Sequence, residues 1–180
     1  LTQALDGMNH PWTLTSLLLA TSLAASSVAL AESFAGSRLT YSGLGPLRIG
    51  MTIQDAKRAG LEIIVDEHFS DLGQCGLARL VGHDDIQLLF EDNRVARIEL
   101  YSSKFTTHSG AKLGDSEARI REIYGARVQV EPHHYDPDGH YLTVTSSDRK
   151  SAIVFETDGQ KVTDLRAGVI PAVQYVEHCL

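Results

Sequence analysis

Leu47-Arg48-Ile49-Gly50-Met51-Thr52, echoed further along by Ala111-Lys112-Leu113-Gly114-Asp115-Ser116, is the stretch on which the fold turns. Each copy is a short apolar-polar-apolar segment, then glycine, one variable residue, and a hydroxyl residue placed to open a helix. The pattern predicts a strand followed by a helix in both places. Thr52 is the expected N-cap of the first helix, with Asp55 three residues on, as in a capping box. Ser116, or Asp115 before it, is the expected cap of the second. Glu117 then falls in the first turn, where the helix dipole favours a carboxylate. The second helix shows Ile120, Ile123 and Tyr124 on one face and stops at Gly125. The first is marked by Ile53, Ala56 and Ala59 and stops at Gly60.

The echo extends beyond the helices. Shifted by 65 positions, Val65, His68, Asp71, Leu77, Phe90 and Glu91 fall on Val130, His133, Asp136, Leu142, Phe155 and Glu156. Each copy closes on a hairpin, with Asp92-Asn93 and Asp158-Gly159 as the turns. Alternation in Val95–Leu100 and Tyr141–Val144 suits antiparallel strands with one face covered and one wet. The expected fold class is α+β: a tandem duplication of a helix plus antiparallel-strand unit. Repeat 1 spans about residues 43–106 and repeat 2 about 107–170, with a tail over 171–180. One short helix covers only part of a small sheet, so the two sheets are expected to pool, with both helices on one face. The opposite face is expected to be broad, solvated and open for docking.

The start of the chain points to export. Residues 12–30 carry no charged side chain, and the run ends on Ala29-Leu30-Ala31, a small-x-small cleavage site. A signal peptide within residues 1–31 follows, then a flexible lead-in over 32–42 and a periplasmic or secreted location. Met8-Asn9-His10-Pro11 lacks the basic residues usual in an n-region. Ser and Thr dilute the apolar run, which argues against stable membrane insertion after cleavage. The 180 residues carry a formal charge of −7, or −6 without Asp6. Scattered Arg and Lys in an acidic protein exclude nucleic acid, which needs a basic stripe. The expected partner is another envelope or secreted protein. The two cysteines, Cys75 and Cys179, read as a disulfide in an oxidising compartment. Closing so long a loop is worth about 4–5 kcal/mol in chain-entropy models.

Chemistry is sparser. His133, His134, Asp136, Asp138 and His140 lie close together and are of types that ligate Zn²⁺ or Cu²⁺. They make a metal or small-ligand loop the alternative function. Pro137-Asp138-Gly139 also reads simply as a solvated turn. Gly114-Asp115-Ser116 has the outline of a nucleophile turn, but Gly50-Met51-Thr52 occupies the same place, and helix capping explains both. No catalytic residue and no cofactor is assigned, and a hydrolase whose site is dispersed in the sequence is the third reading, after the binding module and the metal or small-ligand loop. Glu91 and Glu156 sit at equivalent hairpin ends and read as exposed turn carboxylates. Phe69, Tyr101, Phe105, Tyr135 and Tyr175 are the candidate interface anchors.

Ile49-Gly50-Met51-Thr52-Ile53-Gln54-Asp55-Ala56 resembles the Gly-Met-Thr-x-x-x-Val helix start of two groups. One is the small outer-membrane assembly lipoproteins of the BamE/SmpA type; the other is the tandem-repeat β-lactamase inhibitory (BLIP-like) proteins. The resemblance implies a helix-and-sheet fold and protein binding without a cofactor. It departs at the second copy, Gly114-Asp115-Ser116, and at the cysteines. The lipoproteins carry a lipidated cysteine, and the inhibitors a disulfide within each repeat. An exported, non-enzymatic protein-binding module that docks by a sheet face is therefore the leading expectation.

Overall fold

The computed structural model describes residues 34–179. The expected signal segment and its cleavage site after Ala31 lie outside these residues. In chain order the elements are β1 (Arg38–Thr40), β2 (Gly43–Leu44), β3 (Leu47–Arg48), α1 (Ile53–Arg58), β4 (Ile63–Val65), β5 (Gly76–Leu80), β6 (His83–Glu91) and β7 (Arg94–Leu100). Then come β8 (Thr106–Thr107), α2 (Glu117–Tyr124), β9 (Val128–Pro132), β10 (His140–Thr145), β11 (Ser151–Thr157) and β12 (Val162–Val169). Short 3₁₀ turns cover Gly125–Arg127 and Ala172–Gln174.

Two four-strand meanders meet at their last strands. They form one eight-stranded antiparallel sheet in the order β4-β5-β6-β7-β12-β11-β10-β9. The pooled sheet is as expected, but the balance is not: the helices are only 6 and 8 residues long. The described chain is mainly β. A second sheet, β3-β2-β1-β8, was not expected. β1 lies in residues 32–42, expected to be a flexible lead-in, yet Phe34 and Leu39 there are buried. Ala111–Leu113 forms no strand; β8 precedes it and pairs parallel with β1.

The helix starts obey the sequence reading. Thr52 and Asp55 form a full capping box, and the Ser116 hydroxyl accepts from the Arg119 amide. The glycine before each cap has its own reason. Gly50 and Gly114 adopt φ of 85° and 84°, a region that glycine enters without Cβ cost. Gly50 N–H donates to Val95 O (2.8 Å), and Val95 N–H donates back to Met51 O (2.8 Å). Gly114 N–H and Val162 N–H make the matching pair with Val162 O and Asp115 O, at 2.9 and 2.8 Å. The repeated motif therefore ties each helix start to the fourth strand of its own meander.

One sheet face carries the main core. Leu88, Phe90, Ile98, Leu100, Leu142, Val144, Phe155 and Leu165 pack there against Ala56 of α1, Ile120 and Tyr124 of α2, and Leu39, Leu44 and Leu47 of the small sheet. Burying each large apolar side chain contributes about 1.5–3 kcal/mol. This fixes which face of the large sheet remains, and that face holds the candidate site.

Candidate functional site

The second face is not left open to water. Beyond β12 the chain turns through Ala172–Gln174 and crosses that face as a strap. Ala172 and Val173 are buried. Ala172, Tyr175 and Cys179 pack with Leu77, Leu89 and Ala96; Val173 and Val176 pack with Tyr141, Ala152 and Val154. The expected disulfide joins Cys75 to Cys179, with Cα atoms 5.3 Å apart, and pins the far end of the strap beside β5. The pairing of β6 with β7 skips Ala96, so β7 carries an extra residue there. Ala96 and Arg97 consequently both meet the strap.

Charged side chains lie beneath it. Arg97 and Arg166 are 1% and 3% exposed, and Glu99 is also buried. Such burial is tolerated only when charges are paired and hydrogen-bonded. Arg97 Nη2 donates to Glu99 Oε2 (3.0 Å), and its Nη1 donates to the strap carbonyl of Tyr175 (2.9 Å). Arg166 Nε donates to the Val173 carbonyl (3.0 Å), and its Nη1 reaches Glu156 Oε2 (2.8 Å) and Asp164 Oδ1 (3.0 Å). His178, near the end of the strap, meets Glu99 Oε2 at 2.9 Å. Both guanidinium groups thus grip the strap by its backbone while they neutralise the sheet's carboxylates.

The cluster holds two arginines and three carboxylates, and its environments drive the carboxylates apart. Burial, together with the negative charge of Glu99, pushes Asp164 up to about 8. Burial would also raise Glu99, but the His178 hydrogen bond and the Arg97 charge outweigh it and hold Glu99 at about 2. Burial opposes Glu156 as well, and its bonds to Arg166 and His133 lower it. Asp164 is therefore the carboxyl of the cluster that holds its proton most tightly. A cleft of about 170 Å³ opens beside the cluster, walled by Tyr141, Thr143, Arg166 and the strap residues Gln174 and Val176.

The residues singled out in sequence are scattered through this frame. His133 stacks on Tyr141 with ring centroids 4.7 Å apart. Its Nδ1 accepts the amides of Tyr135 and Asp136, at 3.1 and 2.9 Å, so its proton sits on Nε2 and faces Glu156 Oε1 at 2.8 Å. Both ring nitrogens are engaged. His140 Nδ1 turns to Glu117 of α2 (2.8 Å), and His134 packs edge-on to Tyr135. Asp136 Oδ1 caps the turn by accepting the Asp138 amide. Among the described residues no group of three or more His, Cys, Asp or Glu side chains gathers to hold a metal. Glu156, read as an exposed turn carboxylate, is instead part of the charged cluster. Of the five aromatic anchors, Phe105 is buried and Phe69 and Tyr175 pack under or within the strap. Tyr101 (48%) and Tyr135 (60%) stand exposed.

The alternation of Val95–Leu100 places Arg97 and Glu99 on the face expected to be wet, and Asp164 and Arg166 carried no sequence expectation. The signal that points to them is paired opposite charge, Arg97-x-Glu99 on β7 and Asp164-x-Arg166 on β12, the second pair running into the apolar stretch Ala167–Val173. An uncharged run of that length needs a surface to cover.

No protein-family model matches the chain, and no curated protein matches it. Among solved structures the chain is similar to the crystal structure of the uncharacterized protein yfeY from Escherichia coli. Sequence identity is 12%, the match covers 73% of this chain and 99% of that chain, and the TM-score is 0.46.

Proposed function

We propose that the chain is an exported, non-enzymatic binding module that docks a protein partner at the rim of the second sheet face. The observation that carries this reading is where the charged cluster sends its hydrogen bonds. Arg97 and Arg166 donate to strap carbonyls and to their own carboxylates, which is the arrangement of an anchor for the strap rather than of a site awaiting substrate. An anchored strap gives a rigid face, and rigid faces lose little entropy on docking.

The rim offers the contacts. Tyr101 follows β7 and donates to Gln87 Oε1 (2.8 Å), with nearly half its surface in water. Burial, and after it the negative charges of Glu99 and Asp164, raise its phenol above the ordinary value, which sets Tyr101 at the edge of the charged cluster. The register then runs from Asp164 to Glu156 and on to Tyr141, against which His133 and its Tyr135-bearing loop pack. Tyrosines on a rigid support, in a protein of net charge −7, suit a partner with a basic rim and an apolar recess. The disulfide suits an oxidising compartment and hence export. The matched motifs at Gly50–Thr52 and Gly114–Ser116 support internal duplication as the origin of the two meanders. They are also the residues behind the resemblance to the tandem-repeat inhibitors and the assembly lipoproteins.

The test is affinity capture from envelope and secreted extracts, with the wild-type chain against Tyr101→Ala and Tyr135→Ala. One partner near one-to-one, lost from the variants, supports the reading. A partner retained equally by both variants, or a blank capture, counts against it.

A further inference from the structure

A second concavity lies on the helix side of the sheet, on the other face from the strap. It has a volume of about 380 Å³ and is lined by Leu39, Thr40 and Tyr41 of the small sheet, His108 and Ser109, Tyr124 at the end of α2, Arg127 and Ile153 of β11. That volume falls within the range of pockets that enclose small organic ligands. Its floor is apolar: Leu39 and Ile153 belong to the main core.

The polar groups around it divide into two kinds. Tyr124 is committed internally, since its hydroxyl donates to Thr107 Oγ1 (2.8 Å). Burial holds that phenol above its ordinary value, so it stays neutral and adds no negative charge to the wall. Tyr41, His108 and Arg127 are different. Among the described residues, none of their side chains has a hydrogen-bond or ion-pair partner; the Arg127 guanidinium only lies over the Tyr124 ring, 5.5 Å from its centroid. Three donors thus border one apolar cavity, and no carboxylate lines it.

The charge pattern is contrary to the rest of the molecule. A chain with 23 acidic and 16 basic residues has here a wall with a guanidinium, an imidazole and phenols and no acid. Among the described residues five arginines elsewhere pair with carboxylates, among them Arg58 with Asp55, Arg97 with Glu99, Arg119 with Glu122 and Arg166 with Glu156, whereas Arg127 faces none. A guanidinium beside an apolar recess recognises a carboxylate, which supplies two acceptors to its fork of donors. A ring or short chain behind the carboxylate would fill the floor of Leu39, Ile153 and the tyrosine faces.

We propose that this cavity binds a small organic carboxylate, its anionic end held by Arg127, His108 and Tyr41 and its apolar body seated between Tyr124, Leu39 and Ile153. The site is independent of the protein-docking rim, which lies on the other face.

The probes are 4-hydroxybenzoate and hexanoate, each titrated against its neutral amide, with NMR of the tyrosine and histidine ring resonances as readout. At least one carboxylate is expected to shift the Tyr41, Tyr124 and His108 rings saturably, and its amide to bind about tenfold more weakly or not at all. Arg127→Gln is expected to weaken the carboxylate by about tenfold. Ser109→Trp, a plug at an exposed position, is expected to abolish binding while the melting curve is unchanged. The proposal is overturned if neither carboxylate shifts these rings at millimolar concentration, if acid and amide bind alike, or if folded Ser109→Trp binds as the wild type does.

Discussion

Asp164 concentrates the physics of the cluster in one side chain. Its ordinary carboxylic pKa is near 3.9, whereas burial and the Glu99 charge push it up to about 8 in the fold. Between those values the folded chain holds a proton that the unfolded chain has released, so stability falls as pH rises through that window. Above about pH 8 the folded state must carry the buried charge. Asp164→Asn mimics the protonated form and removes this dependence. Its melting temperature is expected to gain steadily on the wild type from pH 5 to pH 9, by at least about 5 °C over that range. Melting by circular dichroism from pH 5 to 9 checks this; parallel curves for the two proteins would refute it. Glu99 acts in the opposite sense. Held at about 2, it contributes stability present above pH 4.5 and lost as pH falls toward 2.

At the scale of elements, the strap depends on covalent and polar anchors together. Arg97 and Arg166 hold its carbonyls at Tyr175 and Val173, and the disulfide holds its end. Replacing both cysteines, Cys75→Ser with Cys179→Ser, is expected to cost about 2–4 kcal/mol. Amide exchange should accelerate first at Gln174 and Tyr175, whose N–H groups donate within the strap's own turn. Exchange there as slow as in β7 would show that the arginines alone suffice. The elements differ in how far the sequence announced them. The caps at Thr52 and Ser116, the hairpin turns and the cysteine pair are local or pairwise signals, and they were legible. Asp92 and Asn93 adopt φ of 50° and 59°, the positive values that such a hairpin turn requires. β1, β2 and β8 are two or three residues long, too short for periodicity to register. The charged cluster was hidden for another reason. Alternating apolar and charged residues look identical whether water or a strap covers the charged side, and only the tertiary path of residues 170–179 decides between them. The pocket at Tyr41, His108 and Arg127 joins segments far apart in sequence, so no motif marks it.

For the molecule as a whole, the seam between the meanders is the critical joint. β7 and β12 pair through Leu100↔Leu165, Glu99↔Arg166, Ile98↔Ala167 and Arg97↔Gly168. At the last of these a Cβ on residue 168 would fall on the Ala96 carbonyl oxygen, so the strands approach this closely only because the residue is glycine. Gly168→Ala is expected to cost about 1–3 kcal/mol through forced backbone displacement. Urea unfolding followed by circular dichroism should show a lower midpoint, and an unchanged midpoint would mean that the seam has slack. The disulfide has a mechanical consequence at this same scale. Cys75 and Cys179 are 104 positions apart, and the bridge encloses the seam and the entire second meander. If residues 34 and 179 were drawn apart, tension would pass through the sulfur bridge at β5 and bypass everything between. Only the stretch from residue 34 to Cys75 can then pay out, while about 370 Å of contour, at roughly 3.6 Å per residue, stays sheltered until the bridge is reduced.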